Sequence, residues 1–382
     1  MNLNYKPKDD LICLFRIEPN KSSVKKAANN VALESSVGTW TDVKTEKQYV
    51  SKLSAKVFSI RGREVKIAYP SALFEKGNAP NILSSIAGNI FGMKSVKNLR
   101  LEDISIPYKI LFGFKGPKYG IKGIRKILRI KKRPLVGTII KPKLGLKTHD
   151  HAQVAYEAWK GGCDLVKDDE NLASQKFNVF EERLARTLER KNIVEEETGE
   201  KKAYLINITA ETREMMKRAQ LVEDLGGNFV MLDILTSGFS ALQTLREADF
   251  KLAIHAHRAM HAAFTRNEKH GIAMMVLADI ARLIGVDSLH IGTGIGKMEG
   301  GIKEVYELEE EIEKEKVKET HIRLSQNWGK IKPVMAVCSG GLHPGYVPYL
   351  IKNLGNDIII QAGGGIHGHP SGTIWGARAM RQ

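Results

Sequence analysis

From residue 134 onward, short apolar runs alternate with longer amphipathic or charged stretches. The runs fall at 134–140, 163–166, 203–208, 228–234, 252–256, 288–291, 334–338 and 357–362. Stretches such as 175–197 and 301–319 lie between them and have the length and mixed polarity of surface helices. Eight strands alternating with helices imply a parallel sheet, and eight strands close a barrel. The 249 residues from Pro134 to Gln382 match the roughly 250 of a (β/α)8 barrel.

The first 114 residues follow a different pattern. An apolar strand is expected over Leu11–Glu18, then a helix capped by Ser22 or Ser23 and running to about Glu34. Lys56–Ile60 and Val65–Ala68 flank Arg61-Gly62-Arg63 as a hairpin. A helix over Asn81–Asn89 and a strand over Leu99–Ile106 complete the order β-α-β-β-α-β, which is ferredoxin-like. Residues 115–133 dissolve into Gly, Pro and Lys and read as a basic connector. The expected fold class is α/β, a C-terminal (β/α)8 TIM barrel over 134–382 with an N-terminal ferredoxin-like α+β domain over 1–114.

Composition narrows the functional classes. Hydrophobic residues make up 42% and charged residues 27% of the 382, a globular balance. Cys13, Cys163 and Cys338 form no C-x-x-C pair, which disfavours a disulfide framework or a cysteine zinc site. No apolar run approaches the roughly 18 residues of a membrane span. The N-terminus MNLNYKPKDD has no apolar signal core, so a reducing, cytoplasmic location is expected and no membrane partner. The net charge is +16, of which +11 lies between Lys94 and Arg133, where 13 Lys/Arg face only Glu102 and Asp103. Aromatic residues in that segment do not alternate with the basic ones as a base-stacking platform would, so no nucleic-acid partner is expected. The charged run Glu304–Arg323 reads as a solvated helix face.

Active sites of such barrels lie at the C-terminal ends of the strands, and polar residues follow nearly every apolar run. In order they are Lys141 and Lys143; Lys167-Asp168-Asp169-Glu170; Asn207 and Thr209; Asp233; His255, His257, Arg258 and His261; His290 with Gly292–Lys297; Ser339, Gly340, Gly341 and His343; and Gly363-Gly364-Gly365. Side-chain alternation points Lys167 and Asp169 the same way. Asp169 and Glu170 suit a hard cation such as Mg2+. A bare ammonium would repel it, whereas a lysine carbamylated by CO2 would supply a third anionic ligand. A lysine–aspartate ion pair capping the strand explains the local motif equally well. His255 and His257 form an H-x-H pair of the kind that binds zinc. Carbamylated-lysine amidohydrolases place that pair on the first strand and the lysine on the fourth, unlike the order here. The glycines of 363–365 are expected to open the last helix and, with Gly340 and Gly341, to offer backbone N–H groups to phosphate. The loop 292–297 fails as a Walker A motif, because Ile291 precedes it and Met298 follows the lysine. It reads instead as a glycine-rich lid carrying Lys297.

The motifs GTIIKPKLGL, GGCDLVKDDEN, HAHRAMHAAFTR, HIGTGIGKMEGG, SGGLHPG and QAGGGIHGHP together resemble the ribulose-1,5-bisphosphate carboxylase/oxygenase (RuBisCO) large subunit, most closely its archaeal form III branch. ESSVGTWTDV and SSIAGNIFGMK resemble the family's N-terminal segments. The resemblance implies a carboxylase that converts ribulose-1,5-bisphosphate, CO2 and water into two 3-phosphoglycerates, with O2 as the side substrate, in AMP or nucleoside ribose salvage. It implies that Lys167 is carbamylated by CO2 and binds Mg2+ with Asp169 and Glu170, the carbamate taking the C3 proton. Lys141, supported by Lys143, would act in acid–base steps near C2, and His257 near C3. Lys297 would stabilise the new carboxylate. Arg258 and His290 would hold a phosphate, with Gly340, Gly341, Gly363 and Gly364 around the phosphate sites and Ser339 on a substrate hydroxyl. A partner subunit would complete the site with Glu34, Thr39, Trp40 and Asn89, Glu34 pairing with Lys297. A homodimer with shared sites, or higher oligomers of dimers, is implied, without a small subunit.

Three departures stand out. Gly294-Ile295 replaces the two valines usual in the lid and is expected to loosen it and weaken CO2/O2 discrimination. Ile139 stands where many carboxylases have threonine. The chain ends at Gln382, inside the expected eighth helix. Two other readings compete. One is a RuBisCO-like enolase or isomerase acting on another phosphorylated sugar-like substrate. The other is a catalytically inactive basic binding or assembly protein. Retention of Lys141, Lys297, His290, Ser339 and Glu34 opposes both.

Overall fold

A computed structural model describes residues 1–38, 43–295 and 301–382. The chain forms two compact units, Met1–Lys115 with Met260–Ile284 and Lys314–Ile331, and Gly116–Ala259 with Gly285–Glu313 and Lys332–Gln382.

The first unit begins β1 (Asp10–Pro19), α1 (Val24–Glu34), β2 (Lys56–Arg61), β3 (Glu64–Pro70), α2 (Ala79–Ile86), β4 (Val96–Ser105) and α3 (Tyr108–Leu111). Its strands order as β4-β1-β3-β2 with antiparallel neighbours, the ferredoxin-like arrangement. Alternation places Leu11, Cys13, Phe15 and Ile17 of β1 together in the core, each fully buried. Ser23 caps α1 through its hydroxyl, which accepts from the Lys26 amide at 3.2 Å. The second helix starts two residues before Asn81, because the Asn78 side chain caps it. It ends at Ile86, and Asn89 opens a separate 3-10 turn, Asn89–Gly92.

The second unit holds the barrel. Within 115–133, residues Gly120–Leu128 form α4. There follow β5 (Leu135–Ile139), α5 (Thr148–Lys160), β6 (Leu165–Lys167), α6 (Phe180–Thr198), β7 (Ala203–Asn207), α7 (Thr212–Asp224), β8 (Phe229–Asp233), α8 (Phe239–Glu247) and β9 (Ala253–His257). The chain then returns to the first unit with α9 (Ala262–Thr265), β10 (Gly271–Ile272) and α10 (Met274–Ile284). Strand β10 pairs parallel to β4 as a fifth strand of that sheet. The barrel resumes with β11 (Ser288–His290) and α11 (Ile302–Glu313). A small antiparallel pair, β12 (Lys316–Val317) with β13 (Gln326–Asn327), belongs to the first unit. The barrel closes with β14 (Met335–Ser339), α12 (Val347–Leu354), β15 (Ile358–Gln361), α13 (Gly364–His367) and α14 (Thr373–Arg381).

Eight parallel strands form the closed barrel β5-β6-β7-β8-β9-β11-β14-β15. Ile121, Ile124 and Leu128, on one face of α4, share a buried cluster with Leu135, Leu165, Ala203, Phe229 and Ala253 at the first turns of successive strands. That apolar packing fills the N-terminal end and leaves the opposite end for polar side chains.

Two readings of the sequence are corrected. The run Glu304–Arg323 is not a solvated helix face. Helix α11 ends at Glu313, and Glu307, Glu309 and Glu311 are each at most 6% exposed. Charge pattern alone does not reveal that a helix is covered on more than one side. Gly363-Gly364-Gly365 opens the one-turn helix α13 and not the last helix, which is α14. One turn sums few peptide dipoles, so an anion there would rely on backbone N–H donors.

Candidate active site

The end of β6 sets the centre of the site. Lys167 is fully buried, and its Nζ donates to the Asp168 carbonyl at 2.7 Å and lies 3.8 Å from Glu170 Oε2. Burial lowers its pKa, against the opposing charges of Glu170, Asp233, Asp169 and Asp168. Asp169 accepts from Lys141 Nζ at 2.9 Å, which joins the ends of β5 and β6. Glu170 Oε2 also lies 3.7 Å from His257 Nε2. Burial favours protonation of Glu170, but Lys167 and His257 outweigh it and hold the carboxyl below its usual range. Lys143 is exposed and donates to Asn171 Oδ1 at 3.0 Å.

Asp168 points the other way, as strand alternation requires. Its carboxylate accepts from Tyr204 at 2.7 Å, Arg183 Nε at 3.1 Å and the Asn207 amide at 3.1 Å, and pairs with His151 at 3.1 Å. It anchors the strand from behind while its neighbours face the site. Asn207 continues that support: its side-chain amide donates to the carbonyls of Glu170 at 3.1 Å and Leu172 at 3.0 Å.

Three histidines sit beside this group. His257 Nδ1 meets Asp233 Oδ1 at 2.7 Å. A carboxylate only accepts, so Nδ1 carries the proton and Nε2 is left toward Glu170. His255 and His290 face each other through Nε2 at 2.9 Å. Their Nδ1 atoms meet Ser288 Oγ and Ser339 Oγ, each at 2.8 Å. Burial drives the pKa of both rings well below 6.5, and a short contact between two Nε2 atoms is a hydrogen bond only when at least one ring is neutral. Every ring nitrogen of His255 and His290 therefore has a protein partner, so the H-x-H pair does not present two free nitrogens to a metal. No group of three His, Cys, Asp or Glu side chains suited to a metal occurs among the described residues. The set Lys167, Asp169 and Glu170 has a lysine as its third member.

Arg258 Nη2 lies where a Cβ on Gly292 would come within 3.0 Å of it, and burial lowers its pKa to about 10. Gly340 and Gly341 both have positive φ, 124° and 74°, so the turn after β14 needs glycine. A Cβ on Gly363 would stand 3.0 Å from Lys141 Cε. His367, on α13, bridges this loop to β5: its Nε2 meets Thr138 Oγ1 at 2.9 Å and its Nδ1 meets Thr373 Oγ1 at 3.2 Å.

In the first unit, Glu34 and Asn89 line one open depression of about 540 Å3 with Gly92, Met93 and Lys94. Thr39, Trp40 and Lys297 lie outside the described residues. Asp233 and Asn207 emerge as neighbours to the site that carried no assigned role; their place at strand ends was the available signal. His367 had none, since nothing in its spacing ties it to Thr138.

Comparison with known proteins bears on the same residues. The family "Ribulose bisphosphate carboxylase large chain, catalytic domain" matches residues 120–382, and its N-terminal domain matches 1–110. The chain is 55% identical over 394 aligned positions to the ribulose bisphosphate carboxylase of Methanocaldococcus jannaschii, covering 100% of this chain and 92% of that one. Identity to the Pyrococcus abyssi protein of the same name is 50%, covering 100% and 89%. Among solved structures, a dimeric archaeal Rubisco from Hyperthermus butylicus superposes with a TM-score of 0.94 at 47% identity, covering 100% of this chain and 91% of that chain. An octameric Rubisco from Pyrococcus horikoshii in complex with sulfate gives 0.93 at 48%, covering 100% and 88%.

Proposed function

The chain belongs to the ribulose bisphosphate carboxylase large-chain family and is a ribulose bisphosphate carboxylase; on that footing we propose that it works with Mg2+ on a carbamylated Lys167, with an oxygenase side reaction, in the salvage of ribose from AMP and nucleosides. The observation that carries the metal-site reading is the gathering of Lys167, Asp169, Glu170, Lys141 and His257 from the ends of β5, β6 and β9.

The donor set fits the ion. Burial lowers the pKa of Lys167 and so eases loss of the proton that leaves a neutral amine. Attack of that amine on CO2 forms an N–C bond, opens one C=O π bond onto oxygen, releases one proton from nitrogen and turns the neutral amine into an anionic carbamate. Lys167, Asp169 and Glu170 would then hold Mg2+ through oxygen alone, as a hard dication requires. When bound, the ion supplies Lewis acidity that polarises substrate oxygens.

The remaining roles belong to the chain's own side chains. His257, fixed by Asp233, leaves Nε2 to accept or return a proton near C3. Lys141, held by Asp169, keeps its ammonium close to the reacting carbons and can give a proton to a developing carbanion. Arg258 and the glycine turns after β14 and β15 bind the phosphates. Lys297 stabilises the carboxylate that grows from CO2. Two chains pair so that Glu34, Thr39, Trp40 and Asn89 of one complete the site of the other.

The test is fixation of labelled CO2 by CO2-activated protein with Mg2+ and ribulose bisphosphate, which is expected to give acid-stable 3-phosphoglycerate. Lys297→Ala is expected to abolish fixation while C3 proton exchange with solvent persists. Equal loss of both would contradict the role given to Lys297. Turnover of a different phosphorylated sugar, with no fixation, would favour the enolase or isomerase reading.

A further inference from the structure

We propose that the N-terminal mouth of the barrel carries a second anion site, suited to a small polyphosphate, at the end of the barrel opposite the candidate active site. The inference does not depend on the carboxylase mechanism. Residues just ahead of β5, β6 and β7 line a cavity of about 330 Å3 together with the turn after α4 and the end of α14. Its wall carries Arg129, Lys131, Lys132, Arg133, Lys201 and Arg381 against only Asp164 and Glu200.

Part of that charge is rigidly mounted. Asp164 is 1% exposed. It accepts two hydrogen bonds from Arg133, at 2.6 and 2.7 Å, and one from Arg381 at 2.9 Å, as well as one from the Val136 amide at 2.9 Å. Asp164 and Glu200 together face Arg133, Arg381 and Lys202, so two carboxylates leave one positive charge over at the wall. Arg381 also reaches Glu200 at 3.1 Å, and that carboxylate is shared in turn with Lys202 at 2.7 Å.

Lys201 is taken up by Glu195 at 2.7 Å, and the remaining cations of the wall are available. Among the described residues, no carboxylate pairs with Arg129, Lys131 or Lys132. Arg129 adopts φ +56°, a left-handed conformation that is unfavourable for a non-glycine residue. It ends α4 and turns the basic residues 129–133 back along the cavity. Elsewhere in the basic segment Lys97, Arg100, Lys109, Lys118 and Arg125 each have a carboxylate partner. Arg129, Lys131 and Lys132 instead stand together at this mouth.

The lining selects the ligand class. Its apolar members, Leu128 and Ile130, are aliphatic, and no aromatic ring is present on which a nucleic-acid base would stack. The volume sits at the low end for small-molecule sites. Several cations converging on a small concave space favour linked phosphates over one phosphate, because each added charge finds its own partner.

Calorimetric titration of the full chain with inorganic tripolyphosphate at low salt tests the site, with amide hydrogen exchange to locate it. Saturable binding is expected, tighter than that of orthophosphate, with protection over 128–133 and 199–201. Replacing three exposed residues together, Arg129→Gln, Lys131→Gln and Lys132→Gln, is expected to weaken it about tenfold or more without moving the ligand-free unfolding midpoint. Unchanged affinity in that variant, or protection confined to the loops after β14 and β15, would overturn the proposal. Tighter binding of a single-stranded oligonucleotide than of tripolyphosphate would overturn it as well.

Discussion

Lys167 shows how a single position acquires its chemistry from burial. An exposed lysine keeps its proton until about pH 10.4; here burial lowers the pKa from 10.5, so the neutral amine exists at lower pH. At fixed dissolved CO2, carbamate trapped on the protein is expected to reach half its extent below pH 10.5, with one label per chain and none in Lys167→Met. A half-point at or above that pH would contradict the assignment. His367 follows the same logic with a different outcome. Burial, with the nearby Lys141 charge, lowers its pKa from 6.5 to about 4. Between those values the unfolded chain binds more protons, so stability falls as pH drops through that window. His367→Leu is expected to cost about 1 kcal/mol at neutral pH through its lost hydrogen bonds and to flatten the curve from pH 6.5 to 4. Urea denaturation measures both effects, and an unchanged slope would refute the second. Both side chains were visible as letters, but only Lys167 carried a readable signal, the carboxylates two and three residues on.

At the scale of elements, the turns after β11 and β15 show why some residues are glycine. Gly294 has φ +64°, and a Cβ there would lie 2.6 Å from Ile302 Cα. Glycine at 294 thus matches both the backbone conformation and the close approach of Ile302. Gly363 is different, because its Cβ would meet a flexible side chain, Lys141. Gly363→Ala is expected to change stability by less than about 1 kcal/mol while lowering kcat/KM for carboxylation, since the added methyl group shifts the Lys141 ammonium. Steady-state kinetics beside thermal unfolding separate the two effects, and unaltered kinetics would show that Lys141 tolerates the shift. The barrel strands were readable from apolar runs because each must be buried on both faces. Strand β10 was not, since two residues have no period and their pairing with β4 depends on a segment some 170 positions away in the chain.

For the whole molecule, the proposed pairing of two chains makes a quantitative prediction. Glu34→Ala and Lys167→Met chains should each be inactive alone. Dissociated, mixed equally and reassembled, half the dimers become mixed, and each mixed dimer regains one intact site of two. About a quarter of wild-type activity is then expected. No recovery, with mixed dimers confirmed by mass, would place Glu34 in its own chain's site, and full activity of Glu34→Ala alone would place it outside any site. The same scale reassigns the net charge. Salt bridges absorb part of the basic segment, and Arg129, Lys131 and Lys132 of the remainder stand at the mouth of the barrel.

The chain by itself determined the barrel, the ferredoxin-like sheet order and the row of polar residues at the strand ends. Each of these follows from local periodicity and from which side chains must leave water. Only the tertiary structure decided the partners. It sent Asp168 away from the site, closed His255 onto His290, buried the glutamates of α11 and tied His367 to Thr138. Those outcomes depend on distances between residues far apart in the chain, and a hydrogen bond or a desolvated charge exists only once folding has set that distance.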